Sequence, residues 1–320
     1  MTSFLTFPLR FAPYLRPMVW GGRRLVRFVG KALPTAEPYG ESWEVSDHAL
    51  HASRLATASS FGVTLRELMA QYRDDLLGPA GERHHVFPWL IKLLDAHDNL
   101  SVQVHPDDEA VQRLWPGESG KTEAWYVLEA APGSRIWAGL KPGVGARELR
   151  AALEAGTVAD CLHSFTPAPG DFVFIPAGTV HALGGGILLA EIQQTSDATF
   201  RLFDWNRRDA AGQPRPLNVE QALASIHWDA GPIEPIRADD KKHRLVICTY
   251  FEIERFNAAE TFRLAGQGRM QAWMVVAGHG RFANGEFFLP GDVWILPSAM
   301  PAMTVQPDCP VAGLLCSLNH

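Results

Sequence analysis

Two short strings place potential metal ligands on single strand faces. In 103-QVHPDD-108, Gln103 and His105 are two residues apart, so on an extended strand both point the same way, and Pro106 then ends the run. In 121-KTEAWYV-127, Lys121 and Glu123 stand in the same relation. A third string, 176-PAGTVHAL-183, presents His181 just after a Pro-Ala-Gly turn, at the start of another strand. Together, Gln103, His105, Glu123 and His181 offer two imidazoles, a carboxylate and an amide oxygen. This mixed nitrogen and oxygen set suits zinc, iron or manganese. The plainer alternatives are a satisfied core histidine at His105 and a buried Glu123 paired with Lys121.

Two cations lie in unexpected company. Arg201, in 191-EIQQTSDATFRLFDW-205, has Phe200, Leu202 and Phe203 as neighbours. A guanidinium among apolar residues is costly to bury without an anionic partner. Either it meets an anionic substrate or an enediolate, or it pairs structurally with Asp197 or Asp204. Lys92 interrupts the apolar run 88-PWLIKLLDA-96. It either snorkels or reaches into a site.

Short apolar runs rich in aromatic and β-branched residues, separated by Gly, Pro and Asp turns, must carry these groups. They predict a mainly β chain with few helices. The best helix spans 64–77, with Thr64 and Glu67 forming a capping box and Gly78 ending it. Others are predicted over 147–155, closed by Gly156, and over 218–226, with Asn218 as N-cap.

The strings 170-GDFVFIPAGTVH-181 and 123-EAWYVLEA-130 recur as 291-GDVWILPSAMPA-302 and 271-QAWMVVAG-278. Two copies of one strand unit predict two tandem cupin-type, jelly-roll β-barrels. Glu123 becomes Gln271 and His181 becomes Ala302, so a metal site is expected in the first barrel only. The acidic, Pro-rich stretch 229–240 marks the boundary. Residues 1–228 form the catalytic unit, and 229–320 a degenerate barrel without metal ligands.

The 320 residues carry a net charge of −6, which argues against a nucleic-acid binder. Cys161, Cys248, Cys309 and Cys316 form no C-x-x-C pair and fit reduced thiols in a cytoplasmic protein. No leader pattern opens the chain, and no run is long enough to span a bilayer. Nothing in the sequence sets an oligomeric state.

The strings 41-ESWEVSDH-48, 90-LIKLLDAHDNLSVQVHPDD-108, 120-GKTEAWYVLE-129, 170-GDFVFIPAGTVHAL-183 and 191-EIQQTSDATFRLFDW-205, with 19-VWGG-22, resemble in order and spacing the motif series of type I mannose-6-phosphate isomerases. The resemblance is dense over residues 8–228 and loose beyond. It implies a zinc ion held by Gln103, His105, Glu123 and His181, an active-site Lys121, a catalytic Arg201 and a further active-site acid, Glu191. One departure is 204-DWNRR-208, where the family often has Asp-Trp-Gly-Arg.

The implied reaction interconverts mannose 6-phosphate and fructose 6-phosphate through an enediolate. The metal and Arg201 are expected to depress the pKa of Lys121 enough for it to move a proton, with Glu191 as the competing base. Lys92 is the candidate substrate-binding cation for the phosphate. An iron-dependent cupin oxygenase and a non-enzymatic sugar-binding cupin remain as alternatives.

Overall fold

The computed structural model describes residues 5–56, 62–208, 212–264 and 268–319. Its β-structure lies mainly in four sheets, packed as two facing pairs. The first pair joins a six-stranded sheet to a five-stranded one. The six-stranded sheet runs, in spatial order, Phe172–Ile175, Glu123–Ala130, Ile187–Gln194, Trp89–Ala96, Tyr39–Val45 and Tyr14–Gly22. The five-stranded sheet runs Leu162–Phe165, Ile136–Leu140, His181–Leu183, Val102–Val104 and Phe200–Phe203. Trp20, Leu94, Val127 and Leu189 of the larger sheet meet Ile136, Ala138 and Leu183 of the smaller in one apolar cluster.

The second pair has a six-stranded and a four-stranded sheet. Gln271–Ala277, Val293–Leu296 and Val311–Ser317 belong to the larger; Gly280–Phe282 and Met303–Pro307 belong to the smaller. Trp273, Phe282, Phe288 and Trp294 fill the space between them.

Strands Trp89–Ala96 and Ile187–Gln194 are buried at every position, which requires cover on both faces. Period-two alternation sends Ile91, Leu93, Leu188, Ala190 and Ile192 outward. There they share a core with Ile253, Ala272, Met274, Ile295 and Leu314 of the second pair. The opposite face turns Lys92 and Glu191 inward, directly across from each other. The two-sided apolar cover thus leaves these polar positions as the inner wall of a cavity.

The sequence repeat is a structural repeat in the same register. Ile175 pairs with Glu123, and the equivalent Leu296 pairs with Gln271. Within the described residues each pair is two open sheets face to face, without hydrogen-bonded closure into a barrel. The segment after residue 228 lies against the first pair: Phe172 bridges Ile236, and Asp171 accepts from Arg237 and from the Ala238 amide. At the other end of the chain, strand Leu9–Arg10 joins the second pair beside Val293–Leu296.

The helices largely follow expectation. Thr64 and Glu67 form the reciprocal cap of Leu65–Leu77, and left-handed Gly156 closes Ala146–Ala155. Asn218 sits at the N-terminus of Val219–Ser225 but makes no side-chain cap. Its side-chain oxygen accepts the backbone N–H of Arg201 instead, because the Arg201 strand runs beside that helix.

Candidate active site

Antiparallel pairing brings the three ligand-bearing segments together. His181 is in register with Gln103 on the neighbouring strand, while Glu123 reaches across from the facing sheet. His105 Nε2 lies 3.4 Å from Glu123 Oε2, and His181 Nε2 lies 3.4 Å from Glu123 Oε1. Ligand atoms of His105, Glu123 and His181 all fall within 4.8 Å of one another, and all three residues are buried.

Each imidazole is oriented from behind. The Nδ1–H of His105 donates to the Ala198 carbonyl at 2.8 Å, and that of His181 to the Thr179 carbonyl at 2.9 Å. This fixes the tautomer that leaves both Nε2 lone pairs facing inward, the usual support for metal-binding histidines. Burial, reinforced at His105 by the charges of Lys121 and His181, lowers the pKa of His105 well below its ordinary value. Burial, aided by Lys121, takes His181 down to about 4. Both rings are therefore neutral near neutral pH, the form that metal binding requires.

Gln103 sits beside them, its amide 3.3 Å from His181 Nε2 and 3.1 Å from the Ser101 hydroxyl. Glu123 Oε1 is buried without a hydrogen-bond donor. An orphaned carboxylate oxygen facing two inward lone pairs is a donor set that fits a divalent cation.

These groups adjoin a cavity of about 360 Å³ whose wall includes Gln103, Lys121, Glu191, Lys92 and Arg201. Lys121 donates to Glu123 at 2.6 Å and to His105 Nε2 at 3.0 Å, and lies 3.9 Å from Glu191. Burial pulls its pKa down, but Glu123 and Glu191 outweigh burial and hold the ammonium above its usual range.

Glu191 accepts the indole N–H of Trp125 at Oε2 (3.0 Å), while its buried Oε1 has no hydrogen-bond donor. Lys92, itself buried, lies 3.3 Å from that oxygen and 5.4 Å from the ring centre of Trp43. It reaches into the site rather than snorkelling outward.

Arg201 takes neither structural partner. Asp197 faces Arg16 at 3.5 Å, and Asp204 is bound by Arg215, with an Nε–Oδ2 distance of 2.7 Å. Arg201 donates to Ser101 and to the Pro216 carbonyl. Arg16, Lys92, Lys121 and Arg215 each have a carboxylate within 4.0 Å. Among the described residues Arg201 alone of the cavity cations has none. Burial, with Arg215 and Arg207 nearby and Asp204 opposing them, lowers its pKa.

The flanking aromatics do not wrap it. Strand alternation turns Phe200 and Leu202 into a core on the other face, while Arg201 lines the cavity in register with Gln103. In 204-DWNRR-208, Trp205 and Asn206 have φ of 56° and 55°. Asn206 thus adopts, at the glycine position of the family pattern, the left-handed backbone that asparagine tolerates better than most residues.

Sequence reasoning missed Trp125, Ser101, Arg16 and Arg215. Ser101 is two residues before Gln103, and Trp125 two after Glu123, so the same period-two argument would have placed both on the site face. Arg16 and Arg215 carry no comparable signal, since their places depend on distant pairing.

The chain matches the family described as phosphomannose isomerase type I, catalytic domain, over residues 9–125. It is 35% identical to mannose-6-phosphate isomerase ManA of Bacillus subtilis, over 97% of this chain and 99% of the relative. It is 34% identical to mannose-6-phosphate isomerase of Streptococcus mutans, over 94% and 96%. The crystal structure of the mannose 6-phosphate isomerase from Bacillus subtilis superposes with a TM-score of 0.86, covering 98% of this chain and 99% of that one at 31% identity.

Proposed function

The chain belongs to the type I mannose-6-phosphate isomerases, and from that premise we propose how its residues interconvert mannose 6-phosphate and fructose 6-phosphate. Gln103, His105, Glu123 and His181 would hold one divalent ion, which we take to be zinc. When bound, it supplies Lewis-acid stabilisation of negative charge on oxygen.

Glu191 is the proton carrier: its Oε1 takes the proton from carbon 2 of the open-chain aldose and returns it at carbon 1. Lys121, beside Glu123 and Glu191, donates a hydrogen bond to the oxygens on carbons 1 and 2, which exchange carbonyl and hydroxyl character as the proton leaving the carbon 2 hydroxyl ends on the carbon 1 oxygen. Arg201 is the electrostatic partner of the enediolate, and Lys92 is a substrate-binding cation on the cavity wall.

One observation carries this assignment. Glu191, whose buried Oε1 has no hydrogen-bond donor, lines the same cavity as Gln103 and Lys121, which adjoin the other ligand candidates, and as Arg201, the cavity cation without a carboxylate. The matching register of Glu123 and Gln271 supports reading the two sheet pairs as tandem cupin-type units, with 1–228 catalytic and 229–320 lacking the ligands. An iron oxygenase or a sugar-binding cupin would leave the Lys121, Glu191 and Arg201 set without a task.

A panel of aldose phosphates and free aldoses, assayed with metal-analysed protein before and after chelation, tests the reading. Formation of fructose 6-phosphate from mannose 6-phosphate, abolished by chelation and restored by zinc, is expected. Undiminished turnover in metal-free protein would reject the ligand assignment.

A further inference from the structure

The second sheet pair contributes more than cover for the first. Its hairpin between strands Arg244–Ile247 and Glu252–Ala258 carries Tyr250, whose hydroxyl donates to Asp108 Oδ2 at 2.8 Å. The other oxygen of Asp108 accepts the Gly120 amide at 2.9 Å and the Gln194 side-chain amide at 3.1 Å. Gln194 in turn accepts the Thr122 amide at 2.9 Å. Gly120 and Thr122 flank Lys121, and Glu123 follows. Four hydrogen bonds therefore run from the second unit to the backbone on both sides of Lys121.

The approach is close-built. A Cβ at Gly120 would lie 2.6 Å from both the Asp108 amide nitrogen and its carboxylate, so only glycine fits without displacement. The hairpin is itself anchored, because the Tyr250 carbonyl accepts the indole N–H of Trp89 at 3.0 Å and Phe251 is fully buried in the shared core. Between the anchors lies a cavity of about 270 Å³ lined by Asp108, Ser119, Gln194 and Tyr250. The tyrosine hydroxyl spans a place where side-chain packing does not back the segment.

We propose that Tyr250 is a positioning residue: through Asp108 it fixes the 120–123 segment, so that the second unit sets the placement of Lys121 and Glu123. This rests on the reading of Glu123 as a metal ligand and Lys121 as a substrate contact. Hydrogen bonds accepted by a carboxylate are of the stronger kind, yet one hydroxyl among several contacts limits the effect.

The test is Tyr250→Phe, which keeps the ring and removes the hydroxyl. In zinc-loaded protein without substrate, hydrogen exchange at the Gly120 and Thr122 amides should accelerate about tenfold, with Leu90 to Leu94 unchanged. Zinc release to a chromogenic chelator should quicken about fivefold. With substrate, kcat should fall about fivefold at nearly constant KM and Tm, the scale of one ordinary net hydrogen bond.

Asp108→Ala should reproduce these changes, and the double variant should add little to it, as coupled positions do. Parent-like exchange and zinc release in Tyr250→Phe, or full additivity with Asp108→Ala, would overturn the proposal. The exchange and chelator measurements need no turnover, so they stand apart from the outcome of the substrate panel.

Discussion

Glu123 and Gln271 occupy the same place in two copies of one strand pair, and their surroundings differ completely. Glu123 faces His105, His181 and Lys121, whereas Gln271 donates to the Ser317 hydroxyl at 3.0 Å. Two residues along, Trp125 donates to Glu191, but its counterpart Trp273 has a buried indole N–H without a partner. That ring packs instead against Phe256, Phe262, Phe282 and Phe288. Register places Leu315 opposite Trp273, where Glu191 stands opposite Trp125. One fold thus supports either a polar cavity or an aromatic core. The fold does not need the polar set, so its presence in the first unit calls for a chemical reason.

Five substitutions test the comparison, the most severe first. Glu123→Gln gives the first unit the side chain of the second. It should lose bound metal, and activity should drop by more than about 10³-fold as charge stabilisation by the ion disappears; metal analysis and a coupled assay check both. Retention of a full metal complement would show that Glu123 is no ligand.

Glu191→Gln should keep the metal and lower kcat by about 10²–10⁴-fold, the range for losing a general base. The same variant should stop exchange of the carbon 2 proton with solvent deuterium. Continued exchange at the parental rate would move the base elsewhere.

Arg201→Ala should keep the metal and lower kcat by about 10²–10³-fold. Its melting temperature should change little, because Asp204 keeps Arg215 and no carboxylate is stranded. A large fall in melting temperature with near-normal kcat in the folded fraction would make Arg201 structural.

The mildest pair is matched. Trp125→Phe should cost about tenfold in kcat by freeing Glu191, a loss of about 1.4 kcal/mol. Trp273→Phe should leave kcat unchanged and cost only about 1–2 kcal/mol of stability through the smaller ring. Equal kinetic effects would erase the distinction between the units.

Much of the site was legible because strand alternation is local. Gln103 with His105, and Lys121 with Glu123, needed only a spacing of two. The repeat was legible because the same turn and strand strings occur twice. What stayed hidden depends on pairing between distant segments. After burial and Glu123, the next influence on the pKa of Lys121 is Glu191, 70 positions away. The freedom of Arg201 depends on Arg215 having taken Asp204. Asn218 looks like a cap from its flanking residues, yet the strand beside it supplies another donor.

Strand Leu9–Arg10 also bears on how the molecule can be made. It pairs with Ile295 and Trp294, and Arg10 lies 3.3 Å from Asp292 and 5.4 Å from the ring centre of Trp294. A cut within 229–240 would part the chain without parting the sheets: the first fragment would carry a strand lacking its sheet, and the second a bare edge open to wrong pairing. During synthesis strand Leu9–Arg10 must wait for Val293–Leu296 before it finds its place. Contacts so distant in sequence slow folding, because the entropy of closing a long loop is lost before they form.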